Sequence, residues 1–392
     1  MKTIENINFK GERVIIRVDY NVPFDGDRIT DKTRIESSKE TIDLILNNGG
    51  SVILLTHIGR PKGFETKFSC KLIIKEVSET LGRQVLFCDS TIGKEAEKKT
   101  KMLKPGEIIL MENVRFHTEE TEGEIDFAKK LSRLGSVFVN DAFGAAHRAH
   151  ASTSIIAQFF SKKYFGKLLE KEVASIRKVV NNGKKPVLAI IGGAKISTKI
   201  TIIESLMNSV TDILIGGGMA YTFIKAQGGS IGESICEKDF CDYSIQLLEK
   251  AKARNVNIHL PKDVIIANRF DNNAVRKISK IDKIPAGWQG LDIGPDSIEA
   301  LKPIVKKSKT ILWNGPLGVF EFDNFSNGTV ELGIMISEAT KKGSFSLVGG
   351  GDSVLAVKKF GFSNKMSYVS TGGGAMLESL EGKELPGIKA LS

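Results

Sequence analysis

Residues 187–195 read Val-Leu-Ala-Ile-Ile-Gly-Gly-Ala-Lys, an aliphatic run that passes directly into two glycines and ends on a lysine. Five consecutive apolar residues predict a strand that is buried on both faces, as in a parallel sheet. Glycine turns at the end of such a strand expose backbone N–H groups that bind phosphate. This stretch therefore predicts an α/β fold with an anion site at the carboxyl edge of its sheet.

Similar aliphatic runs recur along the chain, and amphipathic stretches such as residues 37–47 and 200–208 lie between them. The predicted strands are residues 13–18, 51–56, 107–111, 136–140, 187–191, 212–215, 309–313 and 345–348. Alternating strands and helices are typical of a doubly wound parallel sheet, whereas an antiparallel sandwich would need hairpins. We therefore expect parallel sheets covered by helices.

A connecting helix is predicted near the middle of the chain. Residues 163–182 carry apolar side chains at helical spacing, lysine and glutamate on the other face, and Asn182-Gly183 as a stop signal. This helix divides the predicted strands into two sets, each large enough for its own core. The sequence thus predicts two domains.

The overall charge points to anionic partners. The 392 residues include 56 Lys and Arg against 46 Asp and Glu, a formal net charge of +10. Such an excess favours nucleic acid, anionic membrane or small phosphorylated ligands, and charge alone does not choose among them. No apolar run approaches the roughly 18 residues of a membrane-spanning helix, and residues 1–20 lack an apolar signal core. We expect a cytoplasmic protein.

The cysteine content indicates neither a zinc site nor a disulfide framework. Cys70, Cys88, Cys236 and Cys241 form no C-x-x-C pair, and no histidine stands at metal-ligand spacing from them. We expect reduced and mostly buried thiols, as in a reducing compartment.

Glycine clusters indicate a nucleotide site in the second half of the chain. The clusters fall at predicted strand ends, in residues 192–195, 216–218, 314–316, 349–352 and 370–374. One such turn is weak evidence, but several in one half favour phosphate binding. Lys195 and Lys199 are predicted on one face of a helix start, where they would meet neighbouring phosphates. Asp352 is placed to hold a divalent ion against the same oxygens.

Cationic side chains mark the predicted strand ends of the first half. They are Arg34, Arg60, Arg115, Arg148, His57 and His150, with Asp19 and Asn21 nearby for hydroxyl groups. The guanidinium group of arginine can donate two parallel hydrogen bonds to the oxygen atoms of a carboxylate or a phosphate. This half therefore predicts a site for a small ligand that carries both groups.

Several other classes of protein fit less well. The chain lacks G-x-x-x-x-G-K-[ST] and completes no G-x-G-x-x-G, which disfavours a P-loop protein and a nicotinamide oxidoreductase. Residues 147–150, His-Arg-Ala-His, lack the aspartate of the protein-kinase catalytic loop. A nucleic-acid binder would use the net charge, but 2 Trp and 5 Tyr offer few stacking surfaces.

Eight motifs run in order nearly from end to end of the chain. They are RVDYNVP (17–23), HIGRP (57–61), ENVRF (112–116), AHRAH (146–150), GGAK (192–195), WNGPLGVFE (313–321), GGDS (350–353) and STGGGA (370–375). Together they closely resemble the phosphoglycerate kinase family. Tyr20, Ile58 and Ser353 depart from the usual residues of that family, and each keeps the relevant shape or hydroxyl group.

The resemblance implies two doubly wound, Rossmann-like parallel-sheet domains joined by a hinge helix, with a C-terminal tail that packs back on the first domain. Residues 1–165 with 378–392 would then bind 3-phosphoglycerate, residues 166–182 would form the hinge helix, and residues 183–377 would bind nucleotide. The implied activity is that of a glycolytic, monomeric, cytoplasmic kinase. It moves the acyl phosphate of 1,3-bisphosphoglycerate to MgADP after domain closure, and no nucleic-acid or membrane partner is expected.

Carried over residue by residue, the resemblance implies three groups of site residues. Those at the phosphoglycerate are Asp19, Asn21, Arg34, His57, Ile58, Gly59, Arg60, Arg115 and Arg148. Those at the nucleotide are Gly192, Lys199, Gly216, Gly217, Gly290, Asn314, Pro316, Glu321, Gly350, Gly351, Asp352 and Ser353, with Glu321 on the ribose and Asp352 on Mg²⁺. The groups expected to stabilise the transferring phosphoryl group are Arg34, Lys195 and the backbone N–H groups of residues 372–374, with Gly373 at their centre.

Overall fold

The structure, a computed structural model, describes residues 2–392. The chain divides into two compact units, one that extends to Val173 and also includes Glu384–Ser392, and one formed by Ala174–Lys383. We refer to them as unit 1 and unit 2. No helix within the described range is long and apolar enough to cross a membrane.

Unit 1 is built on a six-stranded parallel sheet. Its strands are β1 (Arg13–Arg17), β2 (Ser51–Leu55), β3 (Val85–Cys88), β4 (Ile108–Met111), β5 (Val137–Asn140) and β6 (Lys163–Phe165), in the order β3-β4-β2-β1-β5-β6. The helices of this unit include Thr33–Asn47, Ile74–Leu81, Lys94–Lys101, Thr118–Glu122 and Ile125–Ser132. The inner strands are aliphatic because helices cover both faces of the sheet, so every residue of β2 is buried.

Unit 2 contains a second six-stranded parallel sheet. Its strands are β7 (Val187–Ile191), β8 (Asp212–Ile215), β9 (Asn257–His259), β10 (Thr310–Asn314), β11 (Phe345–Val348) and β12 (Tyr368–Val369), in the order β9-β8-β7-β10-β11-β12. Its helices include Ile200–Leu206, Ala220–Ala226, Cys241–Ala253, Pro295–Lys307, Asn327–Lys341, Gly351–Lys359 and Gly374–Leu380. The predicted doubly wound α/β class is therefore confirmed.

Unit 2 also carries an antiparallel sheet that the prediction of purely parallel sheets did not include. It consists of Arg276–Lys280, Asp263–Ala267 and Gln289–Ile293 in that order. Asparagine and aspartate residues in the 268–273 turn favour this hairpin. The outer strand is mostly exposed and polar, which hides it from a search for aliphatic runs.

The linking helix spans Lys167–Val180, within two residues of the hinge helix 166–182 that the resemblance implies, whereas the start at residue 163 that helical spacing suggests is wrong. Residues 163–165 instead pair with β5 as edge strand β6. Asp141 fixes the start of the helix, because its Oδ1 accepts the backbone N–H groups of Leu168 at 2.9 Å and Leu169 at 3.1 Å. The division between the two units falls inside this helix.

The end of the chain packs on unit 1, as expected. The Gly387 N–H donates to Ala146 O at 2.8 Å, and Asn140 Nδ2 donates to Gly387 O at 3.2 Å. Residues 378–383, expected in this tail, group with unit 2. They do so because Glu381 accepts a hydrogen bond from Thr201 at 2.8 Å, which ties the segment to the start of helix Ile200–Leu206.

We expect Leu391→Ala to destabilise unit 1 by about 2–5 kcal/mol, because Leu391 is 1% exposed and its truncation leaves a buried cavity. Calorimetric unfolding measures the change. Lys389→Ala removes an exposed side chain from the same segment and should leave the unfolding transition nearly unchanged. Equal effects of the two substitutions would show that the tail packs no core residue.

Candidate active site

Arg34, Asp19 and Asn21 meet at the carboxyl edge of the unit 1 sheet. Arg34 Nη1 lies 2.9 Å from Asp19 Oδ2 and donates to Asn21 O at 3.1 Å. Asn21 Oδ1 in turn accepts the Gly59 N–H at 2.8 Å. The loops that follow β1 and β2 are therefore joined through these side chains, and Arg34 is held in place by a carboxylate.

Arg115 joins the same edge from the loop that follows β4. Its Nη1 donates to Gly59 O at 2.8 Å, and its backbone N–H donates to Asn113 Oδ1 at 3.0 Å. Asn113 Nδ2 donates to Ile58 O at 2.8 Å. The residues expected at the phosphoglycerate thus position one another mainly through backbone atoms, which leaves other guanidinium N–H groups for a ligand.

The charges at this edge act on one another strongly. Burial, and then Arg17, lower the pKa of the Arg115 guanidinium to about 10, with a smaller effect from Arg60. Burial, and then Arg115, Arg17 and Arg148, lower the pKa of His150 to about 4. The pKa of the buried His57 is lowered well below its usual value, first by burial and then by Arg17, Arg115 and Arg34. Arg34, Arg60, Arg115 and Arg148 therefore belong to one cationic neighbourhood.

Two nitrogen atoms in this neighbourhood are buried without a hydrogen-bond partner among residues 2–392, namely Arg115 Nε and His150 Nδ1. Buried polar groups in native proteins normally have partners. Arg115 Nε and His150 Nδ1 are exceptions to that rule within the part of the chain that the structure describes.

Arg17 is the main residue that the site prediction did not include. It is fully buried at the end of β1, and its Nη2 lies 3.1 Å from His57 Nδ1. Its Nε donates to Ser152 Oγ at 2.8 Å, and Ser152 Oγ donates to Glu120 Oε1 at 2.6 Å. A charged residue within the aliphatic run 13–18 was the available signal, whereas nothing in the sequence distinguishes Glu120 from its acidic neighbours.

In unit 2, a cavity of about 350 Å³ lies at the carboxyl ends of β7, β10 and β11. The predicted residues that line it are Gly192, Lys195, Lys199, Asn314, Gly350, Gly351, Asp352 and Ser353. Gly192 must lack a side chain, because a Cβ there would lie 2.1 Å from Pro316 O. Gly350, with φ of 92°, directly precedes helix Gly351–Lys359, whose first N–H groups have no intrahelical partner.

Lys199 is anchored beside the cavity, where its Nζ donates to Asn314 Oδ1 at 2.5 Å. Burial lowers its pKa, and the nearby Asp352 carboxylate opposes that effect. Asn314 Nδ2 donates to Gly349 O at 2.7 Å, so one side chain connects the loops after β7, β10 and β11. This arrangement places a cation between glycine turns, as phosphate binding requires.

Lys195 and Lys199 do not lie within a helix, contrary to the prediction, since the helix begins at Ile200. The loop that carries them is held by Glu237, whose carboxylate accepts Ser197 N at 3.0 Å and Ser197 Oγ at 2.6 Å. Glu237 lies 40 residues away in sequence, which is why local spacing did not reveal it. Lys195 is exposed and lines the cavity.

Other residues predicted for the nucleotide do not line this cavity. They are Gly216, Gly217, Gly290, Pro316 and Glu321. Gly217 lies close to Gly193, and Pro316 lies close to Gly192. Both Gly192 and Gly193 line the cavity. Gly290 packs on Tyr221 instead, and Glu321 is exposed.

Gly373, expected to act on the phosphoryl group, is the N-cap of helix Gly374–Leu380 and lies outside the cavity lining. The Gly372 N–H donates to Ser370 Oγ at 3.0 Å. That bond engages one of the three N–H groups expected from residues 372–374 to stabilise transferring charge. Gly373 and Gly374 are the remaining candidates.

Comparisons with known proteins agree across the whole chain. The sequence model of the family described as Phosphoglycerate kinase matches residues 4–383. The chain is 49% identical over 416 residues to phosphoglycerate kinase of Porphyromonas gingivalis, with 99% of each chain covered. It is 50% identical over 390 residues to cytosolic phosphoglycerate kinase 3 of Arabidopsis thaliana, with 99% of this chain and 97% of that one covered.

A solved structure gives the same result for the fold. Phosphoglycerate kinase from Coxiella burnetii superposes with a TM-score of 0.91 at 40% identity, covering 99% of this chain and 98% of that one. The full-length matches in sequence and in fold lead to one conclusion. The chain belongs to the phosphoglycerate kinase family.

Proposed function

We propose that the chain catalyses reversible transfer of the acyl phosphate of 1,3-bisphosphoglycerate to MgADP, which yields 3-phosphoglycerate and MgATP. The match to the family across residues 4–383 carries this proposal. The cationic edge of unit 1 supports it as the phosphoglycerate site, and the glycine-lined cavity of unit 2 supports it as the nucleotide site. The protein would act in the cytoplasm as a monomer.

The reaction requires no general base. In the direction that consumes ATP, the nucleophile is the carboxylate of 3-phosphoglycerate, which with a pKa near or below ~4 is already ionised at neutral pH. Catalysis then consists of aligning two anions and neutralising charge on the transferring group. Arg34, Lys195 and the N–H groups at Gly373 and Gly374 would supply that neutralisation.

Each half-site has a distinct role in this proposal. Asp19, Asn21 and residues 57–60 would orient the phosphoglycerate, while Arg115 and Arg148 bind its phosphate or carboxylate. The glycine turns after β7 and β11 would cradle the nucleotide phosphates, and Lys199 would neutralise them. Gly216, Gly217, Gly290, Pro316 and Glu321 would serve the base and ribose.

The donor set also fits magnesium bound together with a nucleotide. Among residues 2–392, no group of three histidine, cysteine, aspartate or glutamate side chains could hold a metal alone. Magnesium is usually held by one or two carboxylates plus substrate phosphates, and Asp352 offers one exposed carboxylate at the cavity. When bound, the ion would offset negative charge on the nucleotide phosphates.

Phosphoryl transfer requires the two substrates to meet, although the proposed residues for each belong to different units. We therefore propose that the enzyme cycles through a closed state, reached by movement about the helix in residues 166–182. Closure would also exclude water and so limit ATP hydrolysis. An ATPase rate without 3-phosphoglycerate that equals the transfer rate would contradict closure-dependent chemistry.

We expect Lys195→Ala to lower kcat by ~10²-fold or more, because it removes a cation from the transferring phosphoryl group. The measurement is ADP formation from MgATP with and without 3-phosphoglycerate. Lys184→Ala removes an exposed lysine that precedes β7, at the opposite end of the strand, and should retain full activity. Unchanged turnover in Lys195→Ala would remove Lys195 from its role, and absence of turnover in the wild type would refute the activity.

We expect Asp352→Asn to raise the KM for MgADP by about tenfold or more, the scale typical of changes around a bound metal. Rates measured over a range of Mg²⁺ concentrations test this, since excess Mg²⁺ should partly restore the rate. Asp296→Asn alters a carboxylate in the first turn of helix Pro295–Lys307, away from the cavity, and is the matched control. A Mg²⁺ dependence identical to that of the wild type would contradict the assignment.

We expect the His150 imidazole to titrate near pH 4, because burial and the surrounding arginines lower its pKa to about that value. Between about pH 6.5 and 4 the unfolded chain then binds a proton that the folded chain does not, so this group makes the protein less stable as pH falls through that window. NMR titration of the histidine ring protons measures the midpoint, with His150→Gln to assign the signal. A midpoint above pH 6 would contradict the electrostatic analysis.

A further inference from the structure

Two of the four cysteines form a pair. Cys236 and Cys241 lie on either side of the short helical turn Lys238–Phe240, and burial and then the neighbouring Cys236 raise the pKa of the Cys241 thiol. The prediction of buried thiols holds for Cys70 and Cys88 but is wrong for this pair, which is partly exposed. All four are free thiols.

The segment that carries this pair contacts both of the loops that border the nucleotide half-site. Next to Cys236, the Glu237 carboxylate accepts two hydrogen bonds from Ser197, within the loop that bears Lys195 and Lys199. On the other side of Cys236, Ile235 lies so close to Gly218 that a Cβ on Gly218 would be 2.5 Å from Ile235 Cγ2. A displacement of Cys236 would therefore disturb the contacts that its neighbours make with the loops containing Ser197 and Gly218.

Thr222, in helix Ala220–Ala226, contacts Cys241 and the residue that follows Cys236. Its Oγ1 accepts the Glu237 N–H at 3.2 Å, and its backbone oxygen accepts the Cys241 thiol at 3.9 Å. That helix directly follows the glycine cluster at residues 216–218. A disulfide would remove the S–H donor of Cys241 and would join the residues on either side of the turn Lys238–Phe240 covalently.

We propose that Cys236 and Cys241 are a dithiol modification site, which a low-molecular-weight disulfide such as oxidised glutathione converts to an intrachain disulfide, and that this bond weakens nucleotide binding. The dithiol chemistry stands independently of the proposed function. Only the effect on nucleotide affinity rests on the proposed nucleotide site.

The chemistry is an exchange that balances without a further reagent. The Cys236 thiolate attacks one sulfur of the oxidant and forms a mixed disulfide, with release of one small thiol. The Cys241 thiolate then attacks the Cys236 sulfur and releases the second small thiol, so one disulfide is reduced as one is formed. Burial and the neighbouring Cys236 raise the pKa of the Cys241 thiol, which disfavours Cys241 as the first nucleophile.

The first test detects the covalent products of oxidation. The full chain is incubated with oxidised glutathione, and intact-mass and peptide mass spectrometry are recorded before and after treatment with dithiothreitol. We expect a reversible Cys236–Cys241 disulfide, which Cys88→Ala retains because that residue is a buried thiol of unit 1. Cys241→Ser should instead stop at the mixed disulfide on Cys236. Glutathione adducts on both sulfurs of the wild type, without an internal bond, would overturn the proposal.

The second test measures the Kd of MgADP by calorimetry on the reduced and oxidised wild-type chain. We expect oxidation to raise the Kd by about fivefold or more, a common size of coupling between sites. Cys236→Ser should bind as the reduced wild type does under both conditions. An unchanged Kd in chain that carries the disulfide would overturn the coupling. Lack of phosphoglycerate-dependent turnover in reduced chain would instead refute the proposed function and leave the dithiol result intact.

Discussion

The unit 2 site depends on the close approach of two backbone loops at the centre of the sheet. A Cβ on Gly315 would lie 2.2 Å from Gly192 O, and one on Gly192 would meet Pro316 just as closely. Only glycine permits this contact, which lets the turns after β7 and β10 lie side by side. The cavity is formed where the sheet connections diverge from β7 in both directions, the position where doubly wound sheets bind ligands.

The cationic edge of unit 1 is built differently. It includes a fully buried cation, Arg17, in addition to the arginines of the loops. Arg17 is desolvated, and its hydrogen bonds to Ser152 and the nearby charge of Glu120 offset that cost. Its field helps to keep His57 and His150 neutral at physiological pH. The positive charge that a ligand meets therefore comes from arginines, which keep their charge over the whole physiological range.

Prediction from sequence succeeded where a physical pattern is local. Strands β2 and β7 are aliphatic throughout because both faces are buried, and their bounds were predicted to within one residue. Edge strand β6 and the outer strand Arg276–Lys280 lack that pattern because they are less buried. The Lys195 loop was predicted as helical because its anchor, Glu237, is remote in sequence. Family motifs predicted residues that the structure brings together at the unit 1 edge and around the unit 2 cavity, whereas the buried partners of Arg17 required the fold.

The return of the last residues to unit 1 has a consequence for how the protein is made. Unit 2 is one continuous stretch, Ala174–Lys383, whereas unit 1 needs Glu384–Ser392 to complete its packing. A ribosome synthesises those residues only after the whole of unit 2. Most of unit 1 emerges first, yet its native packing cannot be complete until synthesis has passed through all of unit 2.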